Sequence, residues 1–220
     1  MKPPGLVIFD CDGVLVDSEP IACRVLAGLL TELGYPMTAD GCRDRFTGIS
    51  IPTLVADVEG DWGRPLPADF ETRLRDRDRE VFARELQPIP GIEGALKAIT
   101  APVCVASSGT EEKIRHSLTV TGLIGYFEPH IFSARAVPRG KPAPDLFLHA
   151  ARAMGTAPAD CLVVEDSVAG ITAARAAAMA VLGFAGGGHC GPGYAQCLRA
   201  AGAPVVFDDM ARLPDLVTSP

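Results

Sequence analysis

Short, unbroken apolar runs that stop abruptly at polar turns set the rhythm of the chain. Leu6–Phe9 ends in Asp10, Asp12 and Gly13, residues 102–106 end in Ser107, residues 161–164 end in Glu165 and Asp166, and Ala180–Phe184 ends in a glycine cluster. Continuous runs of this length fit strands buried on both faces rather than strands with one wet face. Between them lie stretches of helical periodicity: 91–99, 111–118, 145–154 closed by Gly155, and the alanine-rich 168–179. Strand alternating with helix predicts an α/β fold built on a doubly wound parallel sheet.

Residues 18–90 break that rhythm. Their periodicity is helical throughout, and no buried strand interrupts it. This predicts an inserted α-helical cap domain over 18–90, with the sheet domain formed by 1–17 and 91–220. The first cap helix is expected to open at Ser18 as N-cap, with Pro20 in its first turn, and to close at Gly34. Residues 67–86 read as a long charged helix, and Pro88, Pro90 and Gly91 as a hinge back to the sheet.

Composition narrows the partners. The 220 residues are 48% hydrophobic and 21% charged, as in ordinary globular proteins. A formal net charge of −7 argues against nucleic acid, whose backbone is gripped by clustered Lys and Arg. The seven cysteines form no CxxC pair and read as free thiols in a reducing compartment, which predicts a cytoplasmic protein. No apolar run approaches the ~20 residues of a membrane span, so no membrane partner is expected, and nothing demands more than a monomer.

In an open α/β sheet the ligand site lies beyond the carboxyl ends of the strands. The residues found there are Asp10 and Asp12, Ser107, and Glu165 with Asp166, while Lys141 sits in a GKPAP loop between them. Clustered carboxylate oxygens suit Mg²⁺, a hard cation that keeps places for water and phosphate. Two carboxylates at i, i+2 can divide labour, one attacking phosphorus and the other exchanging protons. Ser107 and Lys141 can hold phosphoryl oxygens, and the backbone N–H groups of the Cys11–Gly13 turn can form an anion nest.

The segments DCDGVLVDSE at 10–19, VASSGT at 105–110, GKPAPDLF at 140–147 and VVEDSVAGI at 163–171 resemble the four ordered motifs of the haloacid dehalogenase-like superfamily. The insertion resembles the helical cap of its β-phosphoglucomutase-like branch, and residues 99–118 are similar to bacterial phosphatases of that branch that act on phosphogluconate. The resemblance implies a Mg²⁺-dependent phosphatase of a small phosphorylated metabolite, a sugar phosphate or phosphorylated sugar acid. It makes Asp10 the nucleophile and Asp12 the general acid and base. Asp10, the Asp12 carbonyl, Asp166 and Glu165, the last directly or through water, would hold the metal. Ser107 would bind phosphate through its hydroxyl, Ser108 and Cys11 through backbone N–H, and Lys141 would neutralise both nucleophile and phosphoryl group. Arg24 and Arg45, in the front half of the cap, are candidates for a substrate carboxylate.

Other readings are weaker. Departures from the family pattern exclude some relatives: a dehalogenase needs no second Asp, and a phosphonate-cleaving enzyme needs a cap lysine, which 18–90 lacks. A phosphosugar mutase needs a cationic grip in the cap, but the places aligned from DCDG and from the turn 48–50 hold Ala22 and Ile51. Gly186, Gly188 and Gly191 satisfy GxGxxG, yet too little chain follows for a dinucleotide-binding oxidoreductase. Asp17 and Glu19 read as helix-start or hinge residues. His116, His130, His149 and His189 share no spacing and read as helix or loop residues.

Overall fold

A computed structural model describes residues 3–46, 49 and 51–218. The turn residues Gly48 and Ser50, used above to align the cap, lie outside the described residues. Six strands form one sheet: β1 (Leu6–Phe9), β2 (Val103–Ser107), β3 (Ile131–Ser133), β4 (Cys161–Glu165), β5 (Ala180–Phe184) and β6 (Val205–Phe207). Their order is β3-β2-β1-β4-β5-β6, and every pair is parallel. The first strand is therefore central, and the chain winds outward to β3 before crossing to β4 on the other side of β1. That reversal places a crevice between the carboxyl ends of β1 and β4.

The apolar runs are continuous because both faces of the central strands are covered. All four residues of β1 are fully buried. Leu6 and Ile8 pack with Leu146, Phe147, Val163 and Ile171 in one cluster, while Phe9 meets Phe127 edge to face at 5.9 Å. The covering helices include Glu111–Val120, Asp145–Ala153 and Val168–Ala176. The last stops three residues earlier than its periodicity suggests, since Ala178 turns left-handed at φ 56° to feed β5. The strands β3 and β6 have no counterpart in the sequence reading: each has three residues at a sheet edge, too short for a periodic signal.

Chain contacts divide the molecule into two compact units, 1–17 with 87–220, and 18–86. The sheet unit recovers the chain at Gln87, four residues before the expected return at Gly91, because the returning segment pairs with the outgoing one. Asp17 N–H donates to the Gln87 carbonyl at 3.0 Å and Ile89 N–H to that of Leu15 at 2.9 Å. The helical unit contains Glu19–Glu32, Ala39–Phe46, Ile51–Trp62 and Phe70–Glu85. Leu29, Leu30, Cys42, Leu54, Val58 and Phe70 form its core. Gly34 turns left-handed at φ 95° after the first helix, as a closing glycine should. Ser18 does not cap that helix: its backbone is already helical and its side chain makes no capping hydrogen bond. The last helix starts at Phe70 rather than near Pro67, after a turn in which Phe70 N–H donates to the Pro67 carbonyl.

All seven cysteines are free thiols, and none of the described helices is long and apolar enough to cross a membrane. Truncating Ile8→Ala in the centre of the sheet should cost about 2–5 kcal/mol in urea unfolding. Val168→Ala, at a side chain half open to water, should stay within about 0.5 kcal/mol. Equal costs at the two positions would contradict this account of the core.

Candidate active site

The crevice predicted by the strand order is lined by acids. Asp10 follows β1, and its N–H donates to the Val164 carbonyl of the neighbouring β4 at 3.0 Å. Glu165 closes β4 and Asp166 follows it, so adjacent parallel strands deliver three carboxylates to one edge. Asp10, Glu165 and Asp166 are all buried.

Lys141 joins them from the loop before the helix Asp145–Ala153. Its Nζ donates to Asp10 Oδ1 at 2.8 Å and to Glu165 Oε1 at 2.5 Å, with only 4% of the side chain exposed. The ammonium also lies 4.9 Å from the Phe147 ring centre. Burial pulls its pKa down, but attraction to Asp10 and Glu165 outweighs this and leaves it raised, so the charge stays. Burial raises Asp10 well above the usual carboxylate range, Lys141 opposes this, and Glu165 and Asp166 add to the rise.

Glu165 is held from its other side as well. Its Oε2 accepts from Ser167 N–H at 2.8 Å and from the Ser167 hydroxyl at 2.9 Å, at the start of the helix Val168–Ala176. Ser167 caps that helix by accepting from Gly170 N–H at 2.9 Å. A Cβ at Gly170 would lie 1.8 Å from Glu165 Oε1, so the carboxylate occupies the room this glycine leaves.

Asp166 is raised to about 6, chiefly by burial and against the hydrogen bond from His189. Its Oδ2 lies 3.1 Å from His189 Nε2. Burial pulls the His189 pKa down, but its hydrogen bonds with Asp166 and Cys190 push it up to about 10. Gly13, at φ 78°, clears space here: a Cβ on it would fall 1.9 Å from Asp166 Oδ2.

Ligand oxygens from Asp10, Glu165 and Asp166 lie within 4.8 Å of one another, and among the described residues this is the one cluster able to hold a metal ion. The donor set fits a hard divalent cation: three buried carboxylates face one ammonium, on Asp10 and Glu165, and one imidazole, on Asp166, which leaves negative charge to be offset.

Of the residues singled out from the sequence, Asp10, Lys141, Glu165 and Asp166 meet here. The Asp12 carboxylate is not in the cluster; its Oδ2 accepts from Lys113 Nζ at 3.0 Å. Cys11 is buried, and burial, with Asp12 and Asp10 adding, raises its thiol well above the usual range, so its sulfur stays protonated. Ser107 closes β2 and is buried, with its Oγ accepting from Gly109 N–H at 3.1 Å, while Ser108 is exposed. The Ser133 hydroxyl donates to the Gly109 carbonyl at 2.6 Å and ties this turn to β3. In the helical unit, Arg24 pairs with Glu85. Arg45 pairs with Asp57 at 2.7 Å and Asp61 at 3.1 Å and donates to Tyr35 Oη at 2.6 Å.

Two site neighbours escaped the sequence reading. Lys113 lies in the first turn of the helix that follows VASSGT, and side chains there lean toward the helix N-terminus, which was the available clue. His189 follows the glycines at the end of β5. Those glycines open no helix, since the next one starts at Tyr194 after Pro192 and a left-handed Gly193.

Comparisons with known proteins give the chain its relatives. A model of the haloacid dehalogenase-like hydrolases matches residues 4–178. The 6-phosphogluconate phosphatase of Escherichia coli K12 is 36% identical over 187 residues, 84% of this chain and 85% of its own. Among solved structures, a haloacid dehalogenase-like protein of unknown function from Agrobacterium tumefaciens aligns with TM-score 0.88 and 42% identity over 97% of both chains. A hydrolase of the same family from Deinococcus radiodurans, solved with bound phosphate and sodium, gives TM-score 0.83 and 31% identity over the full length of both.

Removing the shared ammonium leaves two buried carboxylates unpaired. Lys141→Ala should therefore destabilise the metal-free protein by about 3–5 kcal/mol in urea unfolding. A loss below about 1 kcal/mol, the scale of a surface ion pair, would contradict the charge balance described here.

Proposed function

The chain belongs to the haloacid dehalogenase-like hydrolases, and from that premise we propose that it is a Mg²⁺-dependent phosphatase acting through an aspartyl-phosphate on Asp10. Its substrate is a small phosphorylated metabolite, either a sugar phosphate or a phosphorylated sugar acid such as phosphogluconate. The observation that carries this reading is the buried Lys141 ammonium bridging Asp10 and Glu165 beside Asp166, at the strand crevice. The name of the Escherichia coli relative supports the substrate class.

Asp10, Glu165, Asp166 and the Asp12 carbonyl would hold Mg²⁺, which when bound supplies positive charge to offset that on the transferring phosphoryl oxygens. An Asp10 oxygen attacks phosphorus as the bond from phosphorus to the leaving oxygen breaks. Asp12 gives that oxygen a proton, then takes one from the water that attacks the phosphoenzyme, releasing inorganic phosphate and restoring Asp10. Lys141 keeps Asp10 oriented and offsets phosphoryl charge. The Ser107 hydroxyl and the N–H groups of Ser108 and Cys11 hold the phosphoryl oxygens in place. Lys113 Nζ, 3.0 Å from Asp12 Oδ2, holds that side chain in place.

Hydrolysis rather than mutase chemistry follows from the apolar Ala22 and Ile51, which offer no grip on a second phosphate. Arg24 and Arg45 are our candidates for a substrate carboxylate. Each is engaged in partly exposed ion pairs of its own unit, which are weak enough for an anion to displace. The seven free thiols fit a cytoplasmic setting.

Asp10→Asn should fold normally and retain less than about a hundredth of wild-type phosphate release. Turnover above that level would sink the nucleophile assignment. Activity should vanish in EDTA and return with Mg²⁺ but poorly with Ca²⁺, whose longer bonds misplace the attacking carboxylate. Full activity of chelator-treated enzyme without added metal would contradict the metal assignment. Supplied with β-glucose 1-phosphate and catalytic glucose 1,6-bisphosphate, the enzyme should release phosphate faster than it makes glucose 6-phosphate. The reverse order would establish a mutase.

A further inference from the structure

We infer that His189 is a positioning residue for the metal site, fixing the Asp166 carboxylate through Nε2–H, and that the glycine-rich loop 185–190 is built to carry it there. The inference rests on the reading of Asp10, Glu165 and Asp166 as metal ligands.

The ring is buried, with 5% of the residue exposed, although it sits in a loop. Its Nε2 is 3.1 Å from Asp166 Oδ2, and an ionised carboxylate oxygen can only accept, so the proton lies on Nε2 whatever the charge of the ring. The Tyr194 hydroxyl at 3.2 Å and Cys190 Sγ at 3.4 Å approach the same nitrogen, and the Tyr194 ring stands edge-on at 5.1 Å. Nδ1 is buried with no hydrogen-bond partner. Leaving one ring nitrogen unsatisfied carries a desolvation cost, which the structure accepts in order to aim the other at Asp166.

The slot for the ring is made by two glycines. A Cβ on Gly187 would lie 2.8 Å from His189 Cε1 and 2.9 Å from Nδ1, and one on Gly13 would lie 2.9 Å from Cε1. Gly13 also clears Asp166 Oδ2, so a single absent side chain admits both members of the pair. The loop is pinned elsewhere too. Gly188 N–H donates to Asp17 Oδ1 at 2.9 Å, and a Cβ on Gly186 would fall 2.2 Å from the Asp208 carbonyl. These contacts give the glycine run a role that dinucleotide binding does not.

The chemistry follows from how the acids are held. Glu165 is fixed by Lys141 and Ser167, and Asp10 by Lys141, whereas the hydrogen bond that orients the Asp166 side chain comes from His189. Outer partners of this kind typically govern metal affinity or activity by about 10–100-fold.

The test is calorimetric titration of Mg²⁺ into metal-free full-length wild type, His189→Ala, His189→Asn and His189→Gln, with thermal unfolding of each without metal. The Mg²⁺ dissociation constant should rise about 10–100-fold in the Ala and Asn variants. Asn carries too short an amide to reach Asp166, while Gln places an amide N–H near the Nε2 position and should recover most of the affinity. Wild-type affinity in His189→Ala or His189→Asn, even with a lowered melting temperature, would overturn the positioning role. Absence of Mg²⁺ binding by the wild type would instead remove the metal reading itself. Because His189→Asn disturbs the slot less than Ala, it carries the test if the Ala variant does not fold.

Discussion

One ammonium group makes the acidic end of this sheet possible. Three carboxylates packed out of water would repel one another and shed their charge by taking up protons. Lys141 lies within hydrogen-bond reach of two of them, and its four-carbon stem is buried against Phe147. Both the loop that carries Lys141 and the helix behind it must therefore be placed accurately. Around that pair, each remaining element has a local purpose: Ser167 and Gly170 seat Glu165, Gly13 makes room for Asp166, and β1 and β4 set the spacing between the acids.

The central strands and the acids that end them were legible in the sequence because one constraint produces both. A parallel strand covered on both faces must be apolar along its length, and the site must begin where that run stops. Leu6–Phe9 with Asp10, and the run ending at Glu165, show this directly. The strands β3 and β6 were not legible, since three edge residues leave no periodic trace. Ser18 misled as a cap because its sequence context, a hydroxyl before an acid and a proline, is that of an N-cap, while its backbone has already entered the helix. His189 and Lys113 were missed because their significance lies in what they face: Asp166 stands 23 residues from one and Asp12 101 residues from the other.

The acidic character of the chain does not conflict with an anionic substrate. The formal charge of −7 describes the distant field, whereas the crevice itself presents Lys141, Lys113 and backbone N–H groups. The helical unit contributes a different layer. Its Arg24 and Arg45 are tied into ion pairs with Glu85, and with Asp57 and Asp61, respectively, on a partly exposed surface.

If phosphate passes through Asp10 before it reaches water, as we propose, the reaction carries a stereochemical signature. Each in-line displacement inverts the configuration at phosphorus, so two displacements restore it. The most direct measurement is hydrolysis of a phosphorothioate monoester made chiral at phosphorus with two oxygen isotopes, in water carrying the third, followed by configurational analysis of the released thiophosphate. Retention of configuration is the predicted result; inversion would mean that water attacks the substrate directly and would contradict the aspartyl-phosphate.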